Sequence, residues 1–152
     1  MRETRLAHTL EHGSDPAAHG GVVLILALVA AVAGGNLVVT TAPERTRVGH
    51  RLAVRATGQV GETGRLWIYR DRTGCADSVR AERRRGTILG SRPIHGSFDF
   101  EVAFRPRRAG RLWICGYLYA NTCDAAGQNC GPATGLPPDA GFSKAPVRVR
   151  AR

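Results

Sequence analysis

The chain has 152 residues, 43% hydrophobic and 22% charged, with 19 Gly and 8 Pro, which is about one domain of folding sequence and excludes collagen-like and wholly disordered chains. Its 22 Lys+Arg against 12 Asp+Glu give a formal charge of +10, and Lys144 is the only lysine among them. Arginine in such excess suits recognition of phosphate or carboxylate through its planar fork, but GC-rich codons produce the same skew with no ligand, so composition alone names no partner.

Residues 21–33, GVVLILALVAAVA, carry no charge and close on the small-x-small triplet Ala31-Val32-Ala33. That is the length of a signal-peptide core with a cleavage site; a membrane span needs about 20 apolar residues, reached only by running on through Gly34, Gly35 and Asn36. Against export, residues 1–20 set Arg2 and Arg5 against Glu3, Glu11 and Asp15, and arginines follow the apolar run, an imbalance that favours a cytoplasmic C-terminal part. Four cysteines, an even number, favour an oxidising compartment. The expected organisation is a signal peptide at 1–33, with an uncleaved anchor as the alternative, and one β-domain at 34–152, secreted or on the extracytoplasmic surface. The basic excess then lies wholly in the exported part.

After Ala33 the pattern has period two. Leu37, Val39 and Thr41 open it and Pro43 ends that strand; Leu52, Val54 and Ala56 alternate with Arg51, Ala53 and Arg55, a strand with one wet face. Gly58, Gly61 and Gly64 read as a connection. Residues 65–69 (RLWIY) and Leu112 to Tyr119 are apolar on both faces, as central strands are. Phe98, Phe100, Val102 and Phe104 alternate with polar or small residues, and Val147, Val149 and Ala151 alternate with Arg148, Arg150 and Arg152. Thr87-Ile88-Leu89 makes a possible seventh strand. The helical candidate is Ala76 to Arg85, short and superficial, with Val79 as its one core-facing residue. Asn121 to Gly141, rich in Gly, Pro, Asn and Asp, reads as a long connection, functional or crosslinked. The pentapeptide GRLWI at 64–68 recurs at 110–114, too short for a repeat domain and expected of two central strands entered through glycine turns. Together these predict an all-β, antiparallel sandwich or barrel of about seven strands.

The segments LVVTTAP (37–43) and VGHRLAVRA (48–56), the stretch GRLWICGYLY (110–119) and Gly74-Cys75-Ala76 resemble the first two strands, the penultimate strand and a partner cysteine of immunoglobulin-like β-sandwiches in small secreted proteins of high-GC Gram-positive bacteria. The resemblance covers residues 37–152 and implies an Ig-like sandwich, with Trp67 as a buried core tryptophan. The antibody-type pattern has a cysteine in its second strand; residues 52–56 have none, and Trp113 stands where that pattern has a tyrosine, so only the architecture carries over.

Four cysteines allow three pairings. Cys75–Cys115, at neighbouring strands, and Cys123–Cys130, flanking one loop, are the favoured pair of disulfides; the first closes a loop of about 40 residues, worth roughly 3–4 kcal/mol in the chain-entropy model. The spacing of Cys123 and Cys130 does not match structural zinc sites, and no metal or cofactor is expected. Arg80, Arg83, Arg84 and Arg85, together with Arg105, Arg107 and Arg108, form two basic groups that suit an anionic cell-envelope polymer, a membrane surface or an acidic protein; without a recognised motif, nucleic acid is not expected. Their bland reading is a solvated face. Tyr117 and Tyr119 lead into the long loop and read as a contact edge. No nucleophile elbow, metal-binding helix or phosphate loop is present, and a Ser91–His95 pair lacks an orienting carboxylate. The chain is therefore expected to be a binding or structural module without catalytic residues, a small secreted enzyme or inhibitor using the 121–141 loop being the other possibility.

Overall fold

Alternation of apolar and polar side chains keeps most of the domain extended. The computed structural model describes residues 35–122 and 131–152; the expected signal segment and the expected Cys123–Cys130 pairing lie outside the described residues. The elements are β1 (Asn36–Ala42), β2 (Arg45–Arg47), β3 (Leu52–Asp71), α1 (Val79–Glu82), β4 (Thr87–Phe104), β5 (Gly110–Thr122), β6 (Gly131–Pro132) and β7 (Gly141–Arg150).

The expected second and third strands are one strand, β3. Along its first half β3 pairs with β1, from Ala53↔Ala42 to Gln59↔Asn36; along its second half the same edge pairs with β5, from Gly64↔Ala120 to Asp71↔Trp113. The exchange of neighbours occurs at a register shift between Gln59 and Thr63. Its glycines do not break the strand; they allow close approach. A Cβ at Gly58 would fall on the Asn36 carbonyl of β1, and one at Gly64 would stand 2.5 Å from the Tyr119 carbonyl of β5. β4 lies antiparallel along the opposite edge of β3 from Leu52↔Phe104 to Arg70↔Thr87, fusing the possible strand at 87–89 with the one at 98–104.

All seven strands join one hydrogen-bonded sheet of order β1-β3-β5-β7-β2, with β4 on β3 and β6 on β5. It curls back on itself: the Val39 N–H of β1 donates to Ser143 Oγ of β7 at 2.9 Å, and Gly116 of β5 leaves room for Leu37 and Val39 above it. The result is nearly barrel-like instead of two separate sheets, because β3 and β4 run unbroken round the corner where a sandwich has loops. The sheet is also not wholly antiparallel. Residues Arg45 to Arg47, beyond Pro43, lie parallel to β7 from Arg45↔Arg148 to Arg47↔Arg150, covering the edge of that strand.

Both faces of the β3–β5 pair are buried, which is why these segments are apolar throughout. Leu66, Ile68, Ile114 and Leu118 point into the main core with Leu52, Val54 and Val149. Trp67, Tyr69, Cys115, Tyr117 and Tyr119 point the other way and form a second core with Val79. Residues 72–86 cover this second face. The helix within them is a single turn, capped by Ser78, whose side chain accepts from the Ala81 N–H; it ends as the Gly86 N–H returns to the Glu82 carbonyl at 2.7 Å.

Candidate functional site

The second core is stapled and polar at its centre. Cys75 and Cys115 form a disulfide with Cα atoms 5.5 Å apart, tying the covering segment to β5. Trp67 meets Tyr119 edge to face with ring centroids at 5.6 Å, and Tyr69 meets Tyr117 likewise at 6.1 Å, a geometry that aromatic quadrupoles favour. The Tyr119 hydroxyl donates to the Leu136 carbonyl at 2.7 Å and accepts from the Val79 N–H at 3.3 Å, joining two covering segments. Tyr117 and Tyr119 are thus fully buried, not a contact edge: strand alternation turns both rings onto the face that residues 72–86 cover.

Glu82, at the end of α1, has no exposed surface. Its Oε2 accepts from the Ala76 N–H and the Tyr117 hydroxyl, each at 2.7 Å, and that hydroxyl also lies 2.9 Å from the Ala76 carbonyl. Burial pushes the Glu82 carboxyl above its ordinary value, against the bonds from Ala76 and Tyr117 and with the help of nearby Asp71. Burial, then Glu82, pushes the Tyr117 hydroxyl up as well. Asp71, 4% exposed, ends β3. Burial would raise its carboxyl, but the N–H and hydroxyl of Thr73, the bond from Glu82 and the charge of Arg85 outweigh it and hold it below the usual value. Arg85 Nε stands 3.1 Å from Asp71 Oδ2, and its Nη2 donates to the Gly74 carbonyl at 2.9 Å.

Arg85 is also a wall of a groove. An open cavity of about 390 Å³ is bordered by Arg70, Arg72 and Arg85 on one side and Arg107 and Arg108 on the other. A neighbouring cavity of about 700 Å³ shares Arg70, Thr87, Pro106 and Arg107 with it and adds Arg105 and Arg152. The two make one furrow with seven guanidinium groups, and Asp71 is the only acidic side chain among its lining residues. Several of these arginines are held in place. Arg72 donates to the carbonyls of Arg108 and Ala109 at 2.8 and 3.1 Å, Arg105 to that of Gly49 at 3.4 Å, and Arg70 lies over the Phe104 ring at 5.3 Å. A guanidinium has five N–H donors, so one or two such bonds leave further donors for a ligand.

The two basic groups seen in the sequence meet only in part. Arg105, Arg107 and Arg108 line the furrow and Arg85 joins them. Arg83 turns instead to the Tyr69 hydroxyl at 3.4 Å, while Arg80 and Arg84 are exposed and lie outside it. Arg70, Arg72 and Arg152 were not expected here; their signal is the run RDR at 70–72, which reads as an ordinary strand end until β3 is seen to finish beside the 105–109 turn. Ser91 and His95 both lie on β4, four residues apart on an extended strand and so separated by about 13 Å. Among the described residues no three His, Cys, Asp or Glu side chains gather as metal ligands do.

No family model matches the chain, and no curated protein does. Solved structures with a similar trace include the CARDB domain of the PF1109 protein from Pyrococcus furiosus, in a crystal form (TM-score 0.47, 10% identity, 78% of this chain and 94% of that one). Its solution form gives a TM-score of 0.43 at 10% identity, over 76% and 93% of the two chains. A superoxide reductase (neelaredoxin) from Ignicoccus hospitalis gives 0.39 at 12% identity, over 76% and 80%. These are likenesses of a small β-domain, and neither ligand nor activity passes from them to this chain.

Proposed function

We propose that residues 34–152 are an exported, Ig-like binding module, not an enzyme, and that the arginine furrow takes an anionic polymer of the cell envelope. The observation that supports this is the convergence of seven guanidinium groups from β3, the 105–109 turn, Arg85 and Arg152 on one furrow whose single acidic side chain is already engaged by Arg85. Like charges so placed repel one another unless an anion lies between them. The furrow is long and open, which suits a chain of regularly spaced anionic groups, and pre-positioned guanidinium forks lose less entropy on binding. An oxidising compartment is supported by the Cys75–Cys115 disulfide.

Binding to dextran sulfate tests this. R105A/R107A/R108A is expected to lose about tenfold or more in affinity at roughly 0.1 M salt, with a shallower salt dependence. A charge-matched R80A/R84A/R148A variant keeps most of its affinity. Equal losses in the two variants would mean that net charge, not the furrow, does the binding.

A further inference from the structure

Beneath the furrow wall the hydrogen bonds of the Asp71–Glu82 pair do not close with both carboxyls ionised. Asp71 Oδ2 and Glu82 Oε1 are buried and accept no hydrogen bond of good geometry; each carboxyl perturbs the other, and both lie beside Arg85. Two neighbouring buried carboxyls, each with an unsatisfied oxygen, favour the state in which one of them holds a proton. Arg85 Nε reaches Asp71 Oδ2 as an ion pair at 3.1 Å, and Arg85 Nη2 is 4.0 Å from Glu82 Oε2. The same Arg85 side chain is 43% exposed and lines the furrow. One guanidinium therefore stands between a buried pair of acids on its inner side and the furrow on its outer side.

We propose that anion binding in the furrow is linked to proton uptake by the Asp71–Glu82 pair, Arg85 being the group that couples them. The inference rests on the furrow reading given above. With the pair fully ionised, two buried negative charges hold Arg85 inward and weaken the field it offers outside. Each proton the pair gains removes one of those charges, so the furrow becomes more positive and its affinity for anions rises as pH falls. By linkage an anion that draws on Arg85 must in turn raise proton binding by the pair.

Other polar and charged groups surround the pair. From β3 it is neighboured by Arg70 and Arg72, and from the covering segment by Arg85 and the Thr73 hydroxyl, while Tyr69, bonded to Arg83, packs on Tyr117. From β5 it is faced by the Tyr117 hydroxyl, and across the furrow by Arg107 and Arg108. Arginine and tyrosine change charge only well above neutrality, Cys75 and Cys115 are joined to one another, and neither His50 nor His95 borders this cavity.

The test is calorimetry of the full chain with dextran sulfate, whose sulfate esters stay ionised throughout, in buffers of differing ionisation heat between about pH 5 and 8. The expected result is net proton uptake on binding and an affinity about fivefold higher at the acid end. Glu82→Gln, whose amide donates to Asp71 at every pH, is expected to bind with neither uptake nor pH dependence. Binding by the unmodified chain without proton uptake overturns the linkage and leaves the furrow reading intact, and so does uptake that persists undiminished in Glu82→Gln. No binding at any pH would end the furrow reading and this inference with it.

Discussion

Glu82 concentrates the chemistry of the second core in one side chain. It is fully buried, accepts from Ala76 and Tyr117 and lies with Asp71 beside Arg85. Truncation to alanine strands the buried Ala76 N–H, leaves the Tyr117 hydroxyl only the Ala76 carbonyl and opens a cavity, so Glu82→Ala is expected to cost about 2–4 kcal/mol in denaturant unfolding, and Glu82→Gln less than about 1. The pH dependence has a definite sign. Glu82 binds its proton more tightly when folded, so its contribution is full below the ordinary value of 4.5 and is lost as pH rises above it. Asp71 is shifted the other way, and its contribution is present above 3.8 and lost as pH falls through its lowered value. Thermal stability should therefore decline on the alkaline side of about pH 5, and Glu82→Gln should flatten that decline; a decline of equal slope in the variant would contradict this account. None of this could be read in the run AERRRG at 81–86, where a glutamate among arginines looks solvated. Its partners are 6 and 35 positions away, and only the packing of residues 72–86 on β5 brings them together.

At the scale of elements, alternation made the strands legible but not where they end. Leu52, Val54 and Ala56, then Leu66 and Ile68, are buried as the pattern requires. The glycines between them look like a loop because local propensity cannot distinguish a turn glycine from one that admits a neighbouring backbone. Gly61 and Gly64 separate the two cases. A Cβ at Gly61 meets nothing within 4 Å, whereas at Gly64 it stands 2.5 Å from the Tyr119 carbonyl and 2.8 Å from Val60 Cγ2. Gly64→Ala is expected to destabilise by about 2 kcal/mol or more, and Gly61→Ala to stay within about 0.5. Equal effects would mean that β3 is two strands joined by an ordinary loop. Tyr117 and Tyr119, read from the sequence as a contact edge, are buried instead; what alternation could not show is that a covering segment, fixed by Cys75–Cys115, hides their face from solvent.

For the whole molecule, the excess of Arg over acid is organised. Some of it is locally neutralised, as where Arg55 meets Asp99, Nε to Oδ1 at 2.9 Å, on the outer face of β3 and β4. The furrow gathers seven others, drawing on residues from position 70 to position 152 that become neighbours only because β3 ends beside the 105–109 turn and the chain end. A codon bias toward arginine over lysine would not by itself produce that convergence. The most direct measurement is amide chemical-shift mapping of the ¹⁵N-labelled protein titrated with a short sulfated oligosaccharide. Saturable shifts are expected at residues 70–72, 85–88, 104–109 and 152, with β1 and β6 unmoved. Shifts spread over every exposed arginine, or centred on Arg80 and Arg84, would contradict the furrow as the binding site.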